Sequence, residues 1–208
     1  MAARLVYLMD PMCSWCWGFA PVLAALAERA QAAGVPVHLV VGGLRRETQR
    51  LDASGRARIL GYWRAVEEAT GQPFDLERGL PAGLIYDTEP ACRALVVARA
   101  LGSPLALAQR LQRAFYCEGL DVTRPEVLQA LAAESGLAAA DFLEAFHAEP
   151  ARRDTEADFA WAQRLGIAGF PTLLAERDGQ LALLTNGYRP LAALLPLLDR
   201  WLDRGTHG

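Results

Sequence analysis

The sequence predicts an α/β domain in which a strand–helix–strand unit opens the chain, a run of helices follows, and a helix–hairpin–helix closes it. Three observations carry that reading. The apolar run Leu5-Val6-Tyr7-Leu8-Met9 passes within a few residues into the helical spacing of Val22, Leu23, Leu26 and Ala30. Cys13-Ser14-Trp15-Cys16 stands at that junction. Near the other end, Thr172-Leu173-Leu174-Ala175 and Leu181-Ala182-Leu183-Leu184 flank Asp178-Gly179, a hairpin turn pair.

Taken in order, the first strand is short, partly β-branched and aromatic, and is stopped by Asp10-Pro11. The helix after it ends at Gly34. Val37-His38-Leu39-Val40-Val41 is a second strand, ended by Gly42-Gly43. A strand, a helix and a strand within about forty residues imply a parallel pair with a right-handed crossover. Leu44 to Arg58 is polar and arginine-rich and reads as a surface loop, in which Arg45, Arg46 and Arg58 could attract a carboxylate or simply be solvated.

Residues 59–150 give only helical signals. Segments are expected over Ile59–Thr70, from Thr88-Glu89-Pro90 to Leu101, over Pro104–Tyr116, from the capping box Thr123-Arg124-Pro125-Glu126 to Gly136, and over Asp141–His147. A further helix runs from Arg152 to Leu165, Gly169-Phe170-Pro171 is a turn, and Leu191–Leu202 is a last amphipathic helix before a polar tail at Gly205. The expected organisation is one discontinuous α/β domain, 1–58 and 151–208, with an all-helical insertion at 59–150.

The chain has 208 residues, of which 52% are hydrophobic, enough for a packed core. A net charge of −3 makes no case for a nucleic-acid partner. All 21 basic residues are arginine, for which the residues offer no functional account. No apolar run approaches the ~20 residues of a membrane span. Met1-Ala2-Ala3-Arg4 leads straight into the first strand with no secretory signal pattern, so a cytoplasmic location is expected. In a reducing compartment, a Cys-x-x-Cys is catalytic or metal-binding more often than a permanent disulfide. Cys92 and Cys117 supply no second Cys-x-x-Cys, which argues against zinc, so no metal is expected.

Cys13, nearer the helix start, meets the unpaired N–H groups and dipole that favour a thiolate, and is the expected nucleophile. Cys16, three residues on, shares its helical face and can resolve a mixed disulfide. Trp15 is expected to be exposed toward substrate and Trp17 to pack in the core. Asp10 reads as an Asx-turn residue at the strand end or as a proton acceptor for Cys16. Cys92 and Cys117 read as buried structural thiols, and His38 and His147 as packing residues.

Asp10-Pro11-Met12-Cys13-Ser14-Trp15-Cys16-Trp17-Gly18-Phe19, together with Gly169-Phe170-Pro171-Thr172, closely resembles the DsbA family of thioredoxin-like proteins, in particular its protein-disulfide isomerase group and the FrnE-like oxidoreductases. Thr88, Ala91, Arg93 and Ala94, the tract Phe115-Tyr116-Cys117-Glu118-Gly119, and Gly187-Tyr188-Arg189-Pro190 resemble further pieces of FrnE-like and kappa-class glutathione transferase-like proteins. The resemblance implies a thioredoxin-like fold with a DsbA-like helical insertion, and a thiol–disulfide oxidoreductase or isomerase in which Cys13 attacks and Cys16 resolves. It implies that Pro171 is the cis-proline facing the pair and that Phe170 offers its backbone to substrate, with Trp15 also in contact and Asp10, Ser14 and Thr172 supporting. The residues alone do not favour the cis form over a plain trans turn, because only about 5–6% of X–Pro bonds are cis. Phe170 is bulkier than the residue usual at that position, so an altered substrate choice is expected.

The implied partners are protein or small-molecule disulfides and thiols. No bound cofactor is expected, glutathione serving as recycling thiol. DsbA carries a histidine between its cysteines where Ser14-Trp15 stands here, so a less oxidising pair is expected. The residues leave two alternatives open. One is a glutathione-dependent isomerase or transferase, like 2-hydroxychromene-2-carboxylate isomerase, whose relatives carry serine where Cys13 stands. The other is a non-catalytic peptide-binding chaperone module.

Overall fold

The computed structural model describes residues 3–204, so the polar tail from Gly205 lies outside the described residues. Strand β1 (Ala3–Met9) leads into helix α1 (Ser14–Ala32) and strand β2 (Val37–Val41). β1 and β2 pair in parallel with Tyr7 opposite Leu39. Late in the chain, β5 (Thr172–Arg177) pairs antiparallel with β1 and with β6 (Gln180–Asn186), giving the sheet order β2-β1-β5-β6. β1 is central, which is why its stretch from Leu5 to Met9 is apolar throughout and buried rather than alternating. Asp178 and Gly179 form the expected two-residue turn, both at positive φ, as such a hairpin requires.

Helix α1 continues through Pro21, whose missing N–H leaves the Trp17 carbonyl without its usual helical partner. The Gln72 side-chain amide donates to that carbonyl at 3.0 Å and replaces the lost bond. The contact also ties α1 to the end of helix α2 (Ala53–Thr70).

Several sequence expectations need correction. Residues 44–58 are not a surface loop. Arg46–Arg50 form strand β3, and α2 begins at Ala53 because the Asp52 carboxylate caps the Gly55 N–H at 2.6 Å. β3 escapes notice because all five of its side chains are exposed, leaving no apolar alternation. Its partner, β4 (Ile85–Asp87), lies within the stretch expected to be purely helical. Finally, the capping box at Thr123 does not form. The Thr123 hydroxyl donates to Asp121 instead, and Arg124 is the residue at the cap.

The remaining helices lie close to expectation: α3 (Glu89–Leu101), α4 (Pro104–Cys117), α5 (Pro125–Glu134), α6 (Ala139–His147), α7 (Glu149–Arg164) and α8 (Leu191–Asp203). Arg93 of α3 is buried, paired with Glu89, donates to the Phe146 carbonyl and stacks over the Phe146 ring, joining α3 to α6. His38 is half-buried, whereas His147 is exposed at the end of α6 and does not pack inward as expected. Among the described residues, no helix is long and apolar enough to cross a membrane.

Candidate active site

Cys13 is the N-cap of α1, in extended backbone, and its carbonyl accepts the first helical bonds, from Cys16 and Trp17 at 3.0 and 3.2 Å. The Ser14 and Trp15 N–H groups at the start of the helix have no partner within it, and a helix N-terminus carries positive potential. Cys13 is 5% exposed and Cys16 is wholly buried; both are free thiols. Burial, reinforced by the hydrogen bond and charge of Cys13, pushes the Cys16 thiol well above the ordinary cysteine range. The two sulfurs thus have different surroundings: one borders a cleft at a helix end, the other is enclosed.

The fold brings the second half of the motif to the first across 157 positions of sequence. The Cys13 thiol donates to the Phe170 carbonyl at 3.5 Å. The Phe170–Pro171 bond is cis. Thr172 closes this turn from below, its hydroxyl donating to the Gly169 carbonyl at 2.9 Å. The Phe170 ring is turned inward and buried, occupying space that a Cβ on Gly42 would need. Phe170, which also lines the cleft, faces Cys13 with its carbonyl.

Asp10 is fully buried at the end of β1. One carboxylate oxygen accepts from the Met12 N–H at 2.8 Å, completing the Asx turn that shapes the approach to Cys13. The other accepts from the Leu44 N–H at 2.8 Å and from the Cys92 thiol at 3.4 Å. Burial raises the Asp10 carboxyl, and bonds from Thr88, Leu44, Met12 and Cys92 oppose that shift.

A cleft of about 310 Å³ opens beside Cys13. Trp15, 37% exposed, stands at its rim, with Ser14 next to it. Trp17 packs inward instead, its indole N–H donating to the Pro73 carbonyl. The opposite wall comes from α2, which the sequence predicts in most of its length, and from the region of the β3–β4 pair, which it does not reveal. Tyr62 and Trp63 come from α2, Tyr86 from β4, and Arg45 from the segment before β3. The Tyr86 hydroxyl donates to the Met12 carbonyl at 2.6 Å, and the Arg45 guanidinium lies over the Tyr86 ring at 5.1 Å. The pairing of β3 with β4 brings Arg45 and Tyr86 together there, while Tyr62 and Trp63 are carried by α2. The aromatic character of Tyr62, Trp63 and Tyr86 was the one available signal, and it is indistinguishable from core composition in a sequence.

The comparisons agree with this geometry. The model of the DSBA-like thioredoxin domain matches residues 4–198. A Nitrosomonas europaea structure provisionally described as a protein disulfide isomerase is 40% identical, with both chains covered in full and a TM-score of 0.91. The cytosolic disulfide reductase DsbM of Pseudomonas aeruginosa is 35% identical over 98% of this chain and 97% of its own, with a TM-score of 0.76. A structure of DsbM with GSH matches at 32% identity and 0.74, with the same coverage. Among curated proteins, the ClpXP adapter protein SpxH of Halalkalibacterium halodurans is 23% identical over 93% of this chain, which spans 66% of the length of that relative. With its fold, its paired cysteines and its cis-proline turn in place, the chain belongs to the DSBA-like thioredoxin domain family.

Proposed function

We propose that the protein is a thiol–disulfide oxidoreductase in which Cys13 is the nucleophile and Cys16 the resolving thiol. The observation that carries this reading is the placement of Cys13. It sits at the N-terminus of α1, borders the cleft, and lies 3.5 Å from the Phe170 carbonyl of the cis-proline turn, with Cys16 enclosed behind it.

The Cys13 thiolate attacks one sulfur of a substrate disulfide, forming a Cys13–substrate disulfide and releasing the other substrate sulfur as a thiolate, which takes up a proton. Cys16 then loses its proton and attacks the Cys13 sulfur. The Cys13–Cys16 disulfide forms and the second substrate thiolate leaves. The substrate has gained two electrons and two protons, and the cysteine pair has lost them. Two molecules of an external thiol reverse the change in the pair.

Glutathione is the proposed recycling thiol. The relative DsbM with GSH supports this, as does the Arg45 guanidinium at the cleft wall, which could receive a carboxylate. Phe170 and Pro171 would present backbone to the substrate, with Trp15 giving an aromatic contact at the rim. Asp10, Ser14 and Thr172 hold the two loops in place. Exchange of this kind needs only thiols, so no metal or nucleotide enters the scheme. The cytoplasm is the proposed location, in line with the cytosolic DsbM, and reductase or isomerase rather than oxidant is the proposed direction. Residues 1–58 and 151–208 would form the thioredoxin-like unit and 59–150 the insertion, whose β4 reaches back to β3 to build the cleft.

The test is reduction of glutathione disulfide and of a scrambled protein disulfide by the wild type, Cys13→Ser and Cys16→Ser. Loss of activity in Cys13→Ser and a trapped mixed disulfide on Cys13 in Cys16→Ser, seen by mass, support the reading. Undiminished activity in Cys13→Ser refutes it. Peptide binding without exchange in the wild type would leave a chaperone-like module.

A further inference from the structure

The peptide bond that precedes the nucleophile is tied at both of its polar groups. The Cys13 N–H donates to the Asp10 carbonyl at 3.1 Å, and the Met12 carbonyl accepts from the Tyr86 hydroxyl at 2.6 Å. One residue earlier, the Met12 N–H donates to Oδ1 of Asp10 at 2.8 Å. The two Asp10 ties are local, whereas that of Tyr86 reaches the loop from 74 positions further along the chain. Tyr86 is itself fixed. It is the middle residue of β4 and is 3% exposed, with its ring stacked on Phe115 at 5.9 Å and the Arg45 guanidinium over it at 5.1 Å. Its neighbour Asp87 pairs with Arg46 of β3, and the next N–H, of Thr88, donates to the Arg45 carbonyl at 3.0 Å. Met12 is wholly buried, so its carbonyl has no solvent to turn to if the phenol is removed.

We propose that Tyr86 is a positioning residue for the first exchange step, its hydroxyl fixing the Met12–Cys13 peptide so that the Cys13 sulfur keeps its line of attack into the cleft. This rests on the exchange reading given above. The need is geometric. The attacking sulfur must stand in line with the bond that breaks, and a misplacement of about 1 Å costs on the order of 10²-fold. Cys13 stands in extended backbone ahead of α1, where the helical ladder holds neither its N–H nor the Met12 carbonyl. Those are the groups that Asp10 and Tyr86 take. A phenol suits the task because it donates without bringing a charge to the cysteines. Burial, followed by the charges of Asp10 and Cys13, pushes it far above the ordinary tyrosine range, so its O–H persists when Cys13 is a thiolate. No proton or electron passes through Tyr86 in this role.

The experiment compares Tyr86 with Tyr86→Phe, which keeps the ring and removes only the hydroxyl. Both are made in a Cys16→Ser background, where the mixed disulfide on Cys13 accumulates and is read by mass. Two rates are measured at Cys13 in each protein: single-turnover attack on glutathione disulfide, and alkylation by iodoacetamide against pH. Iodoacetamide is small and neutral and meets the sulfur from many directions, so it reports the amount of thiolate and not its aim. In Tyr86→Phe the attack on glutathione disulfide should fall about tenfold, the size of one lost hydrogen bond, with the alkylation profile unmoved. An unchanged rate of attack overturns the proposal. So does a fall of equal size in both reactions, which would place the effect on the thiolate and not on its direction. If Tyr86→Phe does not fold, trimethylamine oxide added to both proteins favours the compact state without restoring the hydroxyl, and the same criteria apply. A protein that retains Tyr86 and shows no attack on any disulfide would instead refute the oxidoreductase reading itself.

Discussion

The ring of Phe170 stands where a side chain on Gly42 would be: a Cβ added there falls 1.9 Å from the ring's Cζ. The end of β2 and the cis-proline turn are thus fitted to each other, and the Phe170 carbonyl is held toward Cys13 from the far side of its own ring.

Gly42→Ala should therefore displace Phe170 and its turn. Overpacking of this kind costs about 1–3 kcal/mol. A lower denaturation midpoint should accompany a loss of exchange rate larger than the stability change accounts for. Urea unfolding and glutathione disulfide reduction on the same samples check it, and an unchanged rate in a destabilised variant would show that the carbonyl's position is immaterial.

Redox titration in glutathione buffers should place the Cys13–Cys16 couple between roughly −180 and −270 mV, the range from protein disulfide isomerase to thioredoxin. Fluorescence of Trp15 and Trp17 offers a readout, with alkylation and mass as control. A value near ~ −120 mV, that of DsbA, would mark an oxidant and contradict the proposed direction and compartment.

Asp10 should make stability fall as pH rises through the mildly acidic range. Burial raises its carboxyl in the folded state, so the native protein binds a proton that the unfolded chain has already lost. The stabilising contribution is complete below the unfolded carboxylate value of about 3.9 and is lost as pH climbs through the higher folded value. Relative to Asp10→Asn, the wild type should lose up to about 1.4 kcal/mol per pH unit inside that window and run parallel outside it. Urea melts at a series of pH values test the sign, and parallel curves throughout would mean that Asp10 titrates as in the unfolded chain.

Arg93→Met should cost far more than a surface arginine. The change leaves Glu89 and the Phe146 carbonyl without their buried partner, a loss of about 3–5 kcal/mol by the usual cost of breaking such a pair. Arg93→Met combined with Glu89→Leu should recover much of it, and a double variant as unstable as the single would assign the loss to packing over Phe146 instead.

Much of this protein was legible in its residues because the signals are local. Leu5–Met9, the Cys13–Cys16 pair at a strand–helix junction, the Asp178-Gly179 turn and the helix starts at Pro90 and Pro104 each announce themselves within a few positions. Periodicity and turn chemistry act over that range. The Cys-x-x-Cys and the Phe-Pro-Thr tract, and through them the family, were available the same way. What tertiary structure alone decided is how distant pieces meet. β3 has no apolar face, so its pairing with β4 had no sequence signature, and with it were hidden the places of Arg45 and Tyr86 at the cleft. The inward turn of the Phe170 ring depends on a missing Cβ more than a hundred residues away. Cys92 reads as one more small apolar residue until the packing of α3 against the end of β1 sets its thiol on a buried carboxylate, because a hydrogen bond between elements follows from where the core places them and not from the order of the chain.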